Sequence, residues 1–190
     1  MESGTSATAQ EHIVAAATKV FATEATRQVT LKRVALEARV PAATVTEHYA
    51  TPVELLSSVI ASLAAAIQAR FPEGEAPITG GGLDDEQNAI FDAIVMITTR
   101  AVLDGVDPAE IVPSFPVVDR LAGEAVDRGL DERTARYRIF ETFLLEFAHR
   151  CFARPMADIC GLRDESDECL RRELDTLEAS LQGLPPVDPC

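Results

Sequence analysis

The chain has 190 residues, 47% of them apolar, 5% aromatic and none tryptophan, and it carries a formal net charge of −14 at pH 7. That length and apolar content suit one large or two small domains with a real core, and the wealth of Ala, Leu, Glu, Asp and Arg favours helices over sheets. There is no basic-then-apolar leader and no uncharged stretch of the roughly 20 residues that cross a bilayer, so the expectation is a cytoplasmic protein with no membrane partner.

The charge is uneven. Residues 1–50 hold five basic side chains (Lys19, Arg27, Lys32, Arg33, Arg39) against five acidic ones (Glu2, Glu11, Glu24, Glu37, Glu47), so the whole −14 lies in residues 51–190. A neutral N-terminal segment on an acidic body can meet nucleic acid through a local basic face while the body is held off the phosphates.

In chain order, Thr8 to Glu11 reads as a capping box, followed by Ile13, Ala16, Ala17, Val20 and Phe21 at helical spacing, for a first helix to about Glu24. Thr30 caps a short second helix with Leu31, Val34, Ala35 and Ala38 on its buried side. A break at Arg39-Val40-Pro41 leads to a third short helix over 41–49. Thr51-Pro52-Val53-Glu54 is a second capping box, with proline at the first helical position where its missing N–H costs nothing. It opens a long fourth helix through Ile67. Pro72 to Leu83, with three consecutive glycines at 80–82, reads as a flexible loop. Asp84 with Gln87 opens a fifth helix, Asp107-Pro108 a short turn of helix, and residues 117–128 a seventh helix stopped at Gly129. An eighth spans 131–153, and a ninth runs from Asp164 to about Leu181. The tail from Gly183 to Cys190, with three prolines, is expected to be loose. The fold class is therefore all-α, with about nine helices.

Three short helices followed by a long one are the layout of a helix-turn-helix head, in which a helix of about 8–9 residues can enter a major groove. Residues 30–49, with a hydroxyl at the second helix start, Val34-Ala35, Ala38-Arg39-Val40 at the turn, then Thr44-Val45 and His48-Tyr49, form such a segment. Together with Thr51 and Glu54-Leu55-Leu56 it resembles the TetR family of transcriptional regulators, in detail over about residues 10–65 and beyond that only in length and helical layout.

The resemblance implies a head over 1–50 that binds duplex DNA, with the fourth helix (52–70) as linker, and a domain over 51–190 for dimerisation and a small-molecule ligand of unknown identity. It implies a homodimeric repressor, released from its operator by that ligand, with no cofactor and no metal. For DNA it implies Thr30 at a phosphate, Lys32 and Arg33 as added charge contacts, and Ala42, Thr44 and Thr46 facing the groove. Glu47 joins these as a candidate acceptor from a cytosine amine, His48 stands where the family has a phosphate-contacting histidine, and Tyr49 where it has a core aromatic. The implied cavity lies around the fifth to eighth helices, with Phe91, Ile94, Val95, Phe115, Phe140, Phe143 and Phe147 as candidate lining. The implied dimer interface is formed by the eighth and ninth helices, through Leu144, Leu170, Leu174, Leu177 and Leu181. The sequence departs from the family pattern at four places: Arg39 replaces the turn glycine, Pro41 the capping serine, Thr46 the groove aromatic, and Pro52 the lysine that opens the fourth helix.

Several features have plainer readings. A three-helix head without Lys or Arg on its third helix can be a packing module, which leaves a helical ligand-binding or interaction protein as the alternative. Cys151, Cys160 and Cys169 are nine apart with His149 nearby, but no pair has Cys-x-x-Cys spacing, so packed, reduced thiols are expected. No phosphate loop, H-E-x-x-H or nucleophile elbow occurs, so the chain is not expected to be an enzyme.

Overall fold

The computed structural model describes residues 3–70, 84–111 and 116–181, and over these residues the protein is all-helical, with nine α-helices, one 3-10 turn and no strand. The order is α1 (Ser3–Thr23), the 3-10 turn (Thr26–Gln28), α2 (Leu31–Ala38), α3 (Ala42–His48), α4 (Pro52–Gln68), α5 (Asp85–Leu103), α6 (Pro108–Ile111), α7 (Pro116–Asp127), α8 (Glu132–Ile159) and α9 (Asp167–Leu181). The expected loop over 72–83, the residue Phe115 and the tail beyond 181 lie outside the described residues. No single described helix is long and apolar enough to cross a membrane.

The chain divides into two compact units, 1–69 with 90–115 and 70–89 with 116–190. The division therefore does not follow the expected boundary near residue 50. Helix α4 and α5 from Ile90 onward belong with the head rather than with the rest of the chain.

Helix starts follow the local chemistry. The Thr30 hydroxyl accepts from Arg33 N at 3.1 Å, and Thr51 accepts from Glu54 N at 3.1 Å while the Glu54 carboxylate accepts from Ala50 N at 2.7 Å. Asp84 and Gln87 close a full capping box, each backbone N–H donating to the other side chain at 2.8 Å. Asp131 accepts from Thr134 N at 3.1 Å at the head of α8, and these bonds hold the Asp131 carboxyl below its ordinary range.

Three boundaries differ from the sequence reading. Helix α1 begins at Ser3 rather than Thr8; no proline precedes Thr8 to stop it. Helix α8 does not stop before Pro155 but runs through it to Ile159; a proline removes one backbone bond, which packing of a 28-residue helix outweighs. Helix α9 starts at Asp167, capped by the Ser166 hydroxyl on Cys169 N at 3.1 Å, and not at Asp164.

Four helices end in one device. An N–H two or three residues past the helix reaches back to the carbonyl five residues earlier: Val40 to Ala35 at 3.0 Å, Val106 to Ala101 at 3.0 Å, Leu130 to Ala125 at 3.2 Å and Leu162 to Ala157 at 2.8 Å. The lock requires a left-handed residue, which is Gly105 (φ 88°), Gly129 (φ 99°) and Gly161 (φ 79°) in three cases and Arg39 (φ 56°) in the fourth. The α2–α3 turn thus keeps the backbone that a glycine would give it, at the steric cost of a side chain.

The core of the first unit gathers Ile13, Ala17, Val20 and Phe21 of α1 with Val34, Val45, Tyr49, Leu55, Leu56, Val59 and Ile60. Ile97 and Ala101 of α5 and Ile111 of α6 are part of the same buried cluster. In the second unit α7 packs on α8 and α8 on α9, with Leu121, Ala122 and Ile139 buried and Val118 and Phe143 against them.

The Arg39 conformation gives a direct test. A left-handed non-glycine residue costs about 1–2 kcal/mol, and part of the relief is offset by the larger freedom of glycine in the unfolded chain. Arg39→Gly is expected to raise stability by about 0.5–1 kcal/mol, read as a higher urea midpoint at unchanged slope. Gly129→Ala is expected to lower it by about 1 kcal/mol. An unchanged midpoint in both variants contradicts the strain at the α2–α3 turn.

Candidate nucleic-acid interface

Helix α3 has one buried and one open side. Val45 is fully buried and Tyr49, just past the helix, is 2% exposed; Ala42, Ala43, Thr46 and Glu47 are exposed, with Thr44 and His48 in between. The Tyr49 hydroxyl accepts from Gln10 Nε2 of α1 at 3.2 Å, so Tyr49 is a core residue and not a surface contact. Thr46 Oγ1 donates to Ala43 O at 2.9 Å. Pro41 precedes α3 and supplies no side-chain cap, the structural consequence of the missing serine. The end of α2 is held by His12, whose Nε2 donates to Ala38 O at 2.8 Å.

The basic residues of the head divide into two groups. Arg33 Nε donates to Glu24 at 2.8 Å and its Nη1 to Glu37 at 3.2 Å; the Glu37 and Glu24 bonds hold its guanidinium even more firmly protonated than usual. Its charge is balanced within the fold, which departs from the expectation that it adds a phosphate contact. Arg27 lies 3.8 Å from Asp104 while remaining 72% exposed. Lys19, Lys32 and Arg39 are exposed, and among the described residues no ion pair places any of them beside a carboxylate. Thr30 is exposed, but its hydroxyl already caps α2.

One residue that sequence reasoning missed secures this head. Arg100 of α5 donates through Nη1 to three carbonyls at the end of α1: Phe21 O at 3.2 Å, Ala22 O at 2.9 Å and Glu24 O at 3.2 Å. A helix C-terminus presents unpaired carbonyls and partial negative charge, and a guanidinium answers both. Asp104, one turn on, accepts from Arg27 N at 3.4 Å. The sequence carried a faint signal, an arginine in the last turn of an otherwise apolar helix, but not its partner 76 to 79 positions away.

The other candidate residues fall as follows. Ile94 and Val95 are buried in the first unit, where Phe91 is half-buried. In the second unit Phe143 packs on the α7–α8 cluster and Phe147 is half-buried. Phe140 departs from the expectation of a lined cavity: it is 59% exposed. It borders an open groove of about 750 Å³ with Asp131, Glu132, Arg133, Arg136 and Tyr137, where Arg133 stands 5.6 Å over the Tyr137 ring. Leu144 and Leu177 are 56% and 48% exposed, Leu170 and Leu174 are half-buried, and the Leu181 side chain lies outside the described residues.

Between α8 and α9 sits a charged cluster. Glu146, 4% exposed, accepts from Arg150 at 3.2 Å and from both Nη atoms of Arg171 at 2.9 and 2.5 Å. Arg150 also donates to Asn88 at 2.9 Å, and Arg171 Nε to Asp175 at 2.9 Å. Burial works against the Arg171 charge, but the Glu146 and Asp175 carboxylates more than offset it. Burial, with the nearby Arg171, lowers the basicity of His149. Cys160 is a free thiol, whereas Cys169 is disulfide-bonded, which corrects the expectation of reduced cysteines at that position. Among the described residues no cluster of His, Cys, Asp or Glu has metal-binding geometry.

No family model matches the chain, and no curated protein matches it.

The Arg100 clamp is testable against its neighbour. Hydrogen bonds to a charged group contribute about 1.5–3 kcal/mol, so Arg100→Met is expected to lower unfolding free energy by about 2 kcal/mol. Arg27→Met, which removes only a 3.8 Å pair from a largely exposed guanidinium, should change it by less than about 0.5 kcal/mol. Equal effects in chemical denaturation contradict the special role of the clamp.

Proposed function

We propose that the protein is a TetR-like transcriptional regulator, a cytoplasmic homodimeric repressor that grips operator DNA through α3 and is released by a small ligand bound in the rest of the chain. The observation that carries this reading is the exposure pattern of α3. A seven-residue helix is anchored by Val45 while Ala42, Thr46 and Glu47 stand in solvent. Small methyl-bearing side chains there suit close approach to thymine methyls, and Glu47 suits a cytosine amine. Lys19, Lys32 and Arg39 supply the phosphate contacts.

The test is a mobility shift with the DNA upstream of the protein's own gene. Because Ala42 and Thr46 are exposed, Ala42→Glu with Thr46→Glu should abolish binding and leave the helical signal and unfolding midpoint intact. Three unpaired basic residues per protomer limit the dimer to a salt slope of about −5 in log K against log salt. Unchanged affinity in the double variant, or a markedly steeper slope, overturns the assignment of α3 and these three residues.

The dimer rests on α8. Tyr137, Phe140, Leu144, Phe152, Met156 and Ile159 are at least half exposed, at spacings that put them along one side of the helix. A stripe of that length on an isolated protomer is the mark of a protein partner, and a second copy repeats each contact. Leu144→Glu with Leu177→Glu should give a folded monomer by light scattering, since both leucines already meet solvent, and should weaken operator binding by orders of magnitude because two half-sites about 34 Å apart are no longer bridged. A dimer that survives both substitutions places the interface elsewhere.

A specific observation favours a second reading, a ligand-binding or interaction protein whose head no longer binds DNA: α3 has no Lys or Arg, and the head's best-placed arginine, Arg33, is taken by Glu24 and Glu37. Absence of any shift with operator or random duplex at low salt would establish it.

A further inference from the structure

Most arginines of the second unit reach a carboxylate within hydrogen-bonding distance, and those that do not, Arg120 apart, stand in solvent. Arg150 and Arg171, 9% and 21% exposed, are saturated by Glu146, Asn88 and Asp175. Arg136, Arg138 and Arg172 each reach a carboxylate at 3.0 to 3.3 Å, and Arg154 pairs with Asp167. Arg120 of α7 differs. Its side chain is 19% exposed, its Nε and Nη2 are buried without a hydrogen-bond partner, and its nearest carboxylate oxygen, on Glu124, is 3.8 Å from Nη1 and beyond hydrogen-bonding distance. Glu124 is also engaged by Arg128 at 3.4 Å. A guanidinium stays protonated in a protein, so two of its donors are buried at full desolvation cost with nothing in return. A fold that satisfies Arg150 and Arg171 so completely has a reason to leave this edge open.

Nε–H and Nη2–H are neighbours on the same edge of the guanidinium and point in parallel, the fork that takes both oxygens of a carboxylate. We propose that Arg120 is the anchor for the carboxylate of a small organic acid, and that this acid is the ligand of the second unit. A monoanion fits the charge: with the acid in place, two carboxylates, the ligand's and Glu124, face two guanidiniums, Arg120 and Arg128. A dianionic phosphate would leave an excess negative charge beside Glu124. The acid tested carries an apolar tail, because Val118 and Leu121, neighbours of Arg120 along α7, belong to the apolar cluster with Ile139 and Phe143 of α8. The two nitrogens are closed to solvent, so the acid reaches them in an opened arrangement of the unit and favours that arrangement by binding it. The proposal supplies the ligand class for the regulator reading and rests on it for its biological role, but its test involves no DNA.

The experiment is thermal unfolding of the full chain with sodium octanoate or sodium benzoate, each against its neutral amide. Wild-type protein should gain several degrees with at least one acid and nothing with octanamide or benzamide. Arg120→Met should lose the response, with apparent affinity weaker by roughly tenfold or more, and Arg120→Lys, which keeps charge but not the fork, should retain only part of it. Without any acid, Arg120→Met should unfold at the wild-type temperature or above, since it removes two buried donors that have no hydrogen-bond partner. No response of the wild type to either acid, an equal response to the amides, an undiminished response in Arg120→Met, or a markedly lower unfolding temperature of that variant without acid would each overturn the proposal. A protein that binds the acid through Arg120 yet shifts no duplex would leave this site standing and sink the repressor reading alone.

Discussion

Ile97, Ala101 and Ile111 fill the last part of a core that the N-terminal helices cannot complete alone. A segment of about 50 residues buries too small a share of its surface to be more than marginally stable, and the apolar faces of α1, α2 and α3 are narrow. Helix α4 adds Leu55, Leu56, Val59 and Ile60, but the cluster closes only with α5 and α6, which arrive from beyond residue 90. Arg100 fixes this insertion in register: apolar packing is non-directional and would tolerate sliding, whereas one guanidinium shared by three carbonyls does not. The presentation of α3 depends on this joint, since Val45 and Tyr49 are anchored in the same cluster.

The turn before α3 shows how a local cost is carried for position. Arg39 adopts a backbone that three glycines adopt elsewhere in the chain, and it does so because the Val40 bond back to Ala35 and the His12 bond to Ala38 O hold the end of α2 from two sides. The surroundings over-determine the conformation, and the side chain tolerates it. An exposed arginine there adds positive charge beside α3, which a glycine would not.

The second unit is organised by charge as much as by apolar contact. Its α7–α8 cluster is small, while Glu146 ties α8 to α9 through Arg171 and, by way of Arg150, to Asn88. Removing one member of such a buried group leaves the others uncompensated, a large penalty, so the cluster specifies a unique packing more than it adds stability. It also absorbs buried charge that the acidic composition would otherwise set in mutual repulsion. Against this background the edge of Arg120 is a place, among the described residues, where buried guanidinium nitrogens have no hydrogen-bond partner.

The sequence by itself determined the helical class, the order of the helices and most of their starts, because these depend on spacing and on residues within four positions: Thr30, Thr51 and Asp84 cap as read, and Val34, Ala35 and Ala38 of α2 are buried as read, with Leu31 partly so. It placed the head's outer residues on α3 for the same reason. Tertiary structure alone decided whether each charge is available. Arg33 looks free in sequence and is spent on Glu24, nine positions back; Arg100 looks like a helix-end residue and holds α1; Arg120 sits in a run of ordinary helix formers and is stranded. It also decided that Pro155 does not end α8 and that α5 belongs largely with the head. Each of these turns on contacts between residues distant along the chain, and on desolvation, which depends on what covers a group rather than on what precedes it.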